Sequence, residues 1–323
     1  MKKVLRISLG IIGILVLVVM GLAGFVAVRG IPTYEKPDIP DLKVDATPAR
    51  IARGESIAQF QCIACHMGKD GRLSGKHLDD APEVFGKLYS KNITRDPVAG
   101  IGNWTDGELY YFLRTGVRKD GTPGVIMPKF PIMADEDIIS VIAWMRSEAE
   151  VLKPTRNEAP QTEYNFFVKA LANTVMTPLD PPTQPILIPD STDQIAYGKY
   201  VADALATCYG CHSADFTDQD PLKPENSKGY YGGGIAMKDQ NGKTVYTANL
   251  TFDETGIGGR YTEEAFVKAV KYGVKADGTP TRYPMFPHTS LKDSEVKAIY
   301  AYLKTVPKQK TVKQPEEQPV AAR

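Results

Sequence analysis

Four cysteines and two of the four histidines of this 323-residue chain fall into two Cys-x-x-Cys-His strings. Two thiols about one helical turn apart can each form a thioether to a haem vinyl group, and the adjacent imidazole then becomes the fifth ligand of the iron. We therefore expect two covalently bound haem c groups. The expected attachment residues are Cys62, Cys65, Cys208 and Cys211, and the expected iron ligands are His66 and His212.

Zinc binding and dithiol redox chemistry are the competing interpretations of the cysteine pairs. The two pairs together could form a four-cysteine zinc site. A thioredoxin-like motif would lie in a βαβ unit, and the sequence around these cysteine pairs does not predict one. Neither alternative explains why a histidine follows both pairs, so haem attachment is favoured.

A methionine lies at the matching place in both halves, six residues before an apolar residue that leads into the last helix, and is the expected sixth ligand. Met127 stands in Val-Ile-Met-Pro, and Met285 stands in Tyr-Pro-Met-Phe-Pro. A thioether ligand raises the potential of haem iron, which suits electron transfer. Buried methionines that fill gaps in a core are the alternative. His288 competes with Met285 for the second iron, whereas we expect His77 to be a surface residue or a hydrogen-bond partner.

The strings belong to an internal duplication. Residues 92–123 and 249–280 pair almost residue for residue at an offset of 157, with a one-residue slip at Gly-Ile-Gly. Each copy has a Cys-x-x-Cys-His upstream, and a methionine and then an apolar helix downstream. We expect an all-α fold of two tandem haem domains, over residues 47–152 and 190–306.

Each copy is predicted to contain three main helices joined by long loops. The middle helix begins after Trp104 or Tyr261, and Thr105 with Glu108 three residues later forms a capping box. The first helix ends at the cysteine pair, and the last helix has apolar residues at helical spacing. The predicted bounds of these first and last helices are 48–60, 194–206, 135–148 and 293–303.

Several other paired residues allow more than one interpretation. Trp104 and Tyr261 either hydrogen-bond a haem propionate or pack against the ring. We expect Arg114 and Lys271 to be solvated charges, with propionate neutralisation as the alternative. We expect Asn92 and Asn249 to brace a loop rather than carry a glycan. We expect Gly54 and Gly198 to allow the first and last helices to cross closely.

The remaining segments are predicted from hydropathy and composition. Residues 1–29 form an uncleaved signal anchor that spans the membrane, because the apolar stretch is as long as a bilayer core and follows Lys2, Lys3 and Arg6. A removed signal peptide is the alternative. The other predicted segments are an extended tether over 30–46, a Pro-rich linker over 153–189 and a polar tail over 307–323.

The overall charge limits the range of partners. The formal net charge is +1, whereas a nucleic-acid-binding protein needs a strongly basic surface. A basic N-terminus stays cytoplasmic, so the haem domains are expected on the periplasmic side of the inner membrane.

These motifs resemble a known family. Cys-x-x-Cys-His, followed by Asn-Ile-Thr-x-Asp, Gly-Ile-Gly, Gly-Val and Met-Pro, is similar to bacterial class I cytochrome c domains in tandem. The resemblance is strongest to the cytochrome c subunits of membrane-bound alcohol, aldehyde and gluconate dehydrogenases. Those subunits usually have three haem domains, whereas this chain has two.

The resemblance implies electron transfer rather than catalysis. The expected donor is a membrane redox complex or a dehydrogenase subunit, and the expected acceptor is another cytochrome, a quinone site or a terminal oxidase. The alternative is a dihaem redox enzyme, a peroxidase or a sulfur-compound oxidase, with one open or His-ligated haem.

Overall fold

The structure is a computed structural model that describes residues 2–79, 81 and 83–311. It is mostly helical, and the π-helical segment Tyr200–Leu205 continues the seventh α-helix. The α-helices are α1 (Lys2–Arg29), α2 (Pro48–Gln61), α3 (Ile63–His66), α4 (Asp106–Thr115), α5 (Asp135–Met145), α6 (Phe166–Ala172), α7 (Gln194–Lys199), α8 (Tyr209–His212), α9 (Glu263–Tyr272) and α10 (Asp293–Leu303). Short 3-10 helices lie at Glu83–Phe85, Glu150–Leu152 and Pro224–Asn226.

Two small antiparallel sheets depart from the predicted all-α class. Strands β1 (Gly86–Lys87) and β2 (Glu163–Tyr164) pair with Gly86 opposite Tyr164. Strands β3 (Ala236–Lys238) and β4 (Thr244–Tyr246) form a hairpin. The hairpin turn contains Gly242 at a φ of 73° after an asparagine. Asn-Gly is a strong turn signal, so this hairpin was detectable in the sequence.

The chain divides into two compact units that do not follow the sequence repeat. The first unit comprises Met1–Lys43, Cys65–Lys129 and Glu150–Pro181, and the second comprises Val44–Ala64, Phe130–Ala149 and Pro182–Arg323. The first and last helices of the first copy, α2 and α5, thus belong to the same unit as the whole of the second copy.

Within the second unit, first and last helices cross in the same way twice. A Cβ atom built at Gly54 of α2 would lie 1.9 Å from the carbonyl oxygen of Ser140 in α5. A Cβ atom built at Gly198 of α7 would lie 1.9 Å from the carbonyl oxygen of Ala298 in α10. Because only glycine lets two helix backbones approach so closely, the predicted close crossing is confirmed in both copies.

The crossing at Gly54 leads to a stability prediction. Alanine has the higher helix propensity, but its Cβ would collide with backbone rather than with a movable side chain. We expect Gly54→Ala to destabilise the protein by about 2 kcal/mol, since α2 and α5 must move apart. Urea unfolding followed by circular dichroism measures the change.

Gly210→Ala is the matched control for this substitution. The nearest atom to a Cβ at Gly210 is Gln219 Oε1 at 4.0 Å, and the first copy has Ala64 at the same position. Equal stability of the two variants would contradict the close crossing.

The middle helices begin and end as their sequences predict. Thr105 and Glu108 form the full capping box at the start of α4, and Thr262 caps α9 by accepting a hydrogen bond from the Ala265 amide. Gly116 and Gly273 end these helices in the left-handed conformation, with φ of 77° and 68°. Both helices therefore deliver the chain into the methionine loops through the same turn.

The N-terminal segment consists of an apolar helix followed by an irregular stretch of chain. Helix α1 is long enough and apolar enough to cross a membrane. Beyond it, the Tyr34 amide donates to the Gly121 carbonyl at 2.9 Å, and the Pro40 carbonyl lies against Gly107. The predicted tether therefore lies along the first unit.

The segment between the copies and the C-terminal tail contain more structure than their composition predicts. Residues 153–189 include strand β2 and helix α6. At the start of the tail, Gln309 Nε2 donates to the Tyr230 carbonyl at 3.0 Å. Residues 312–323 of the predicted polar tail lie outside the described residues.

Candidate functional site

The two Cys-x-x-Cys-His strings lie at matching positions, on the short helices α3 and α8. Cys62 is buried, Cys208 is half-buried, and Cys65 and Cys211 are exposed. None of the four forms a disulfide. Burial, with the nearby Asp203 carboxylate and Cys211, raises the pKa of the Cys208 thiol to about 12.

Both histidines of these strings are oriented by a backbone carbonyl. His66 Nδ1 lies 2.7 Å from the Lys91 carbonyl oxygen, and His212 Nδ1 lies 2.8 Å from the Ala248 carbonyl oxygen. A carbonyl only accepts hydrogen bonds, so Nδ1 carries the proton and Nε2 keeps its lone pair. Histidine ligands of metals are typically held in this manner. The donor sets therefore fit haem iron.

Burial and the carbonyl contact act in opposite directions on these rings. Desolvation lowers the pKa of His66 and of His212, and it outweighs the hydrogen bond to the carbonyl, which favours the protonated ring. Both rings are therefore neutral at pH 7, as iron ligands must be.

A glycine amide donates a hydrogen bond to the backbone carbonyl of each histidine. The Gly75 amide donates to the His66 carbonyl at 3.0 Å, and the Gly233 amide donates to the His212 carbonyl at 2.8 Å. Both glycines have positive φ, 85° and 66°. A Cβ built at Gly75 would lie 2.4 Å from a backbone atom of the loop that orients the histidine, and a Cβ built at Gly233 would lie 2.5 Å from one. The glycines thus allow this loop to approach the histidine.

Asn92 and Asn249 follow the orienting carbonyls and brace the same loops. Asn92 Oδ1 accepts hydrogen bonds from the amide and hydroxyl of Thr94, and its Nδ2 donates to the carbonyls of residues 155 and 157. Asn249 Oδ1 contacts Thr251 in the same way. Both asparagines are buried. The predicted loop brace is confirmed, and a buried amide is unsuited to glycosylation.

This brace leads to a second stability prediction. Asn92→Ala leaves the buried Thr94 amide and hydroxyl without their acceptor, so we expect a loss of about 2 kcal/mol. Urea unfolding measures it against Asn103→Ala, which removes one exposed hydrogen bond to the Pro97 carbonyl. A loss no larger than that of the control would refute the bracing role.

The Met127 loop starts from the end of α4. The Gly124 amide donates to the carbonyl of Gly116 at 2.7 Å, and Met127 follows three residues later, half-buried. A Cβ built at Gly124 would lie 3.4 Å from the Met127 Cβ. The Thr281 amide makes the same contact to the Gly273 carbonyl at 2.8 Å in the second copy. The two methionine loops are therefore supported alike.

Met285 and His288 are both half-buried in the second loop. The Met285 carbonyl accepts a hydrogen bond from the Thr281 hydroxyl at 3.2 Å. His288 Nδ1 lies 2.9 Å from the Phe286 carbonyl oxygen, and its ring stacks on the Phe286 ring with centroids 4.9 Å apart. Burial lowers the pKa of His288 and outweighs the hydrogen bond to the Phe286 carbonyl, which acts in the opposite direction.

The prediction of solvated charges at Arg114 and Lys271 is wrong. Arg114 has an exposure of 0%, and its guanidinium lies 5.1 Å from the centre of the Tyr110 ring. Lys271 is also buried and forms an ion pair with Asp293. The error arose because helical spacing alone did not show that α4 and α9 are covered on this face.

The remaining predicted residues have local partners. The Trp104 ring packs edge-on to Phe112 with centroids 5.7 Å apart, and Tyr261 offers its carbonyl to the Tyr300 hydroxyl at 2.8 Å. His77 is partly exposed and hydrogen-bonds Asp79, which confirms its predicted role as a hydrogen-bond partner.

The alternative of a zinc site gains no support from the geometry. Among the described residues, no group of three or more Cys, His, Asp and Glu side chains is arranged to hold a metal ion.

Comparison with known proteins finds a family match for most of the first copy. Residues 51–149 match the family Cytochrome c. The match begins within α2 and extends beyond α5, so it includes the first Cys-x-x-Cys-His string and the Met127 loop.

Relatives resemble most of the chain. The gluconate 2-dehydrogenase cytochrome c subunit of Pantoea cypripedii is 29% identical over 273 residues, which cover 81% of this chain and 60% of that protein. The cytochrome c subunit of the alcohol dehydrogenase (quinone) of Gluconobacter oxydans is 28% identical, covering 81% of this chain and 56% of that protein. The fructose dehydrogenase cytochrome subunit of Gluconobacter japonicus is 28% identical, covering 87% and 56%.

These matches confirm the resemblance predicted from the motifs. The chain is similar to cytochrome c subunits of dehydrogenases, and it spans somewhat more than half the length of these relatives.

Proposed function

We propose that this chain is a membrane-anchored dihaem cytochrome c that relays single electrons and is not itself a catalyst. The carrying observation is that His66 and His212 each have Nδ1 held by a backbone carbonyl at 2.7–2.8 Å, in loops of the same construction. Bound haem would supply an iron that accepts and releases one electron at a time. The domain organisation in two copies, 47–152 and 190–306, is part of this proposal.

The residues that would hold each haem follow from the same geometry. The thiols of the two strings would attach it, and the Nε2 atoms of His66 and His212 would face the iron. Met127 is the proposed sixth ligand of the first haem. Met285 is the proposed sixth ligand of the second, and His288 is its competitor because it lies three residues further along the same loop and is equally half-buried. Arg114, which is buried, favours the alternative role of neutralising a propionate.

The partners and the location follow from the relatives and from α1. Because the relatives are named as subunits of dehydrogenases, we propose a dehydrogenase subunit or a membrane redox complex as electron donor. Another cytochrome, a quinone site or a terminal oxidase would be the acceptor. Helix α1 would anchor the chain in the inner membrane with both haem domains on the periplasmic side.

Ligand binding separates this carrier from a dihaem peroxidase or sulfur-compound oxidase. An enzyme of that kind needs an iron position that is open to substrate, whereas a carrier has both irons six-coordinate. We expect absorption spectra of the reduced protein to stay unchanged when carbon monoxide is added at neutral pH. Rapid binding of carbon monoxide to either haem would overturn the carrier proposal.

A further inference from the structure

Helix α6, in the segment between the two copies, has one buried face and one apolar exposed face. Val168 and Ala172 are buried against Val125 of the methionine loop. On the other side, Phe166 and Phe167 are 49% and 40% exposed. Phe167 stacks on Phe85 with ring centroids 6.0 Å apart, but both phenylalanines keep a large apolar area hydrated, which is unfavourable in water.

The end of α6 is fixed to the end of α1. Arg29 Nη1 donates to Asn173 Oδ1 at 3.0 Å, and Asn173 Nδ2 donates to the Gly30 carbonyl at 2.8 Å. Ile31, directly after α1, packs against the buried face of α6. The two helices are also in direct contact. The depth of α6 is therefore set by the depth at which α1 ends.

The last turn of α1 would lie at the membrane surface. The apolar helix of 27 residues is about 40 Å long, which exceeds the hydrocarbon core of about 30 Å by about one turn at each end. Arg29, the basic residue of its last turn, would place its charge among the head groups. Asn173 and the C-terminal end of α6 would then lie at the same level.

We propose that α6 is an interfacial helix, with Phe166, Phe167 and the exposed Val175 buried at the boundary between head groups and acyl chains. This inference rests on the proposed role of α1 as a membrane anchor. The occupant of the apolar face is lipid, because α6 contacts the end of the helix that is proposed to lie in the membrane and is hydrogen-bonded to it. The first unit is thereby seated on the bilayer, instead of being lifted from it on a free tether.

Photolabelling from lipid tests this inference on the full-length protein loaded with haem. The protein is reconstituted into nanodiscs of phosphatidylethanolamine and phosphatidylglycerol that contain a phospholipid with a diazirine near the top of one acyl chain. After irradiation, labelled peptides are identified by mass spectrometry. We expect label both in α1 and in residues 163–176.

The two regions distinguish the possible failures. Label in α1 without label in residues 163–176 would overturn the interfacial helix and leave the anchor intact, with solvent or a protein partner covering the face. A lack of label in α1 would overturn the anchor itself and, with it, this inference.

Variants sharpen the test. The double variant Phe166→Glu/Phe167→Glu should lose most of the label in residues 163–176 and keep the label in α1, because charged side chains avoid the apolar layer. Both side chains are at least 40% exposed, and circular dichroism of the variant verifies that the fold is retained without the stacking of Phe167 on Phe85. Val98→Glu, at an exposed apolar residue of the same unit, is the control and should leave both signals unchanged. Unchanged label in the double variant would overturn the proposed orientation of α6.

Discussion

Replacing Met127 with alanine is expected to lower the midpoint potential of one haem and leave the other unchanged. A thioether favours reduced iron, and its loss leaves water or a stronger donor in the sixth position. Axial ligands span roughly 0.8 V of haem potential, so we expect a fall on the order of 0.1 V or more. Spectroscopic redox titration of the purified protein measures it.

Met133→Leu is the matched control for Met127→Ala. Met133 is buried in the core a few residues further along the chain, so its substitution alters packing without touching the proposed ligand. Its two potentials should equal those of the unaltered protein. Unchanged potentials in Met127→Ala would show that Met127 is a core methionine.

The same titration separates Met285 from His288 at the second haem. If Met285 is the ligand, Met285→Ala lowers the second potential and His288→Phe has little effect; phenylalanine is the residue that the first copy has at this position, Phe130. If His288 is the ligand, His288→Phe raises the second potential. The imidazole is then lost, and either Met285 or a weaker donor takes the sixth position. The magnetic circular dichroism of the oxidised protein distinguishes the two ligand pairs independently.

Replacing Arg53 is expected to cause the largest loss of stability among the charged residues. Its guanidinium makes a bidentate contact to Asp137 at 2.8 and 3.1 Å and a third contact to Glu295 at 2.6 Å. Both carboxylates are almost fully buried, and Tyr200 and Tyr197 donate hydrogen bonds to them. Asp137 and Glu295 occupy the same position in the last helix of each copy.

Arg53→Met would leave two buried carboxylates without a cation, which costs about 3 kcal/mol or more. Arg50→Met on the same helix is the control, because Arg50 contacts the exposed Glu136 and its loss should cost less than about 1 kcal/mol. Arg53→Lys restores the charge but not the planar fork, so its stability should lie between the two. Urea unfolding provides all three values, and equal losses in Arg53→Met and Arg50→Met would refute the account.

The sequence predicted local features of the fold well. Thr105 and Glu108 marked the start of α4, and Gly54 and Gly198 marked the helix crossings. These predictions succeeded because capping and close approach depend on a few residue types at fixed spacing. The prediction for Asn92 and Asn249 succeeded for the same reason, since an asparagine followed by threonine two residues later braces its own loop.

Features that depend on distant contacts were not predictable in this way. The Lys91 and Ala248 carbonyls orient the two histidines, but a backbone carbonyl has no signature in side-chain type. The two ion pairs of Arg53 are formed with residues that lie 84 and 242 positions further along the sequence. Helical periodicity does not reveal such distant pairs. Burial of Arg114 and the short helix α6 in a proline-rich segment likewise depend on what packs against them.

The number of covalently bound haems per polypeptide tests the central proposal most directly. Intact-mass spectrometry of the purified chain, combined with haem determination per mole of protein, should give two haems for the unaltered protein. Cys62→Ala/Cys65→Ala and Cys208→Ala/Cys211→Ala should each retain one. A single haem in the unaltered chain would contradict two independent haem sites. The loss of both haems from either double variant, with the chain still folded, would contradict them as well.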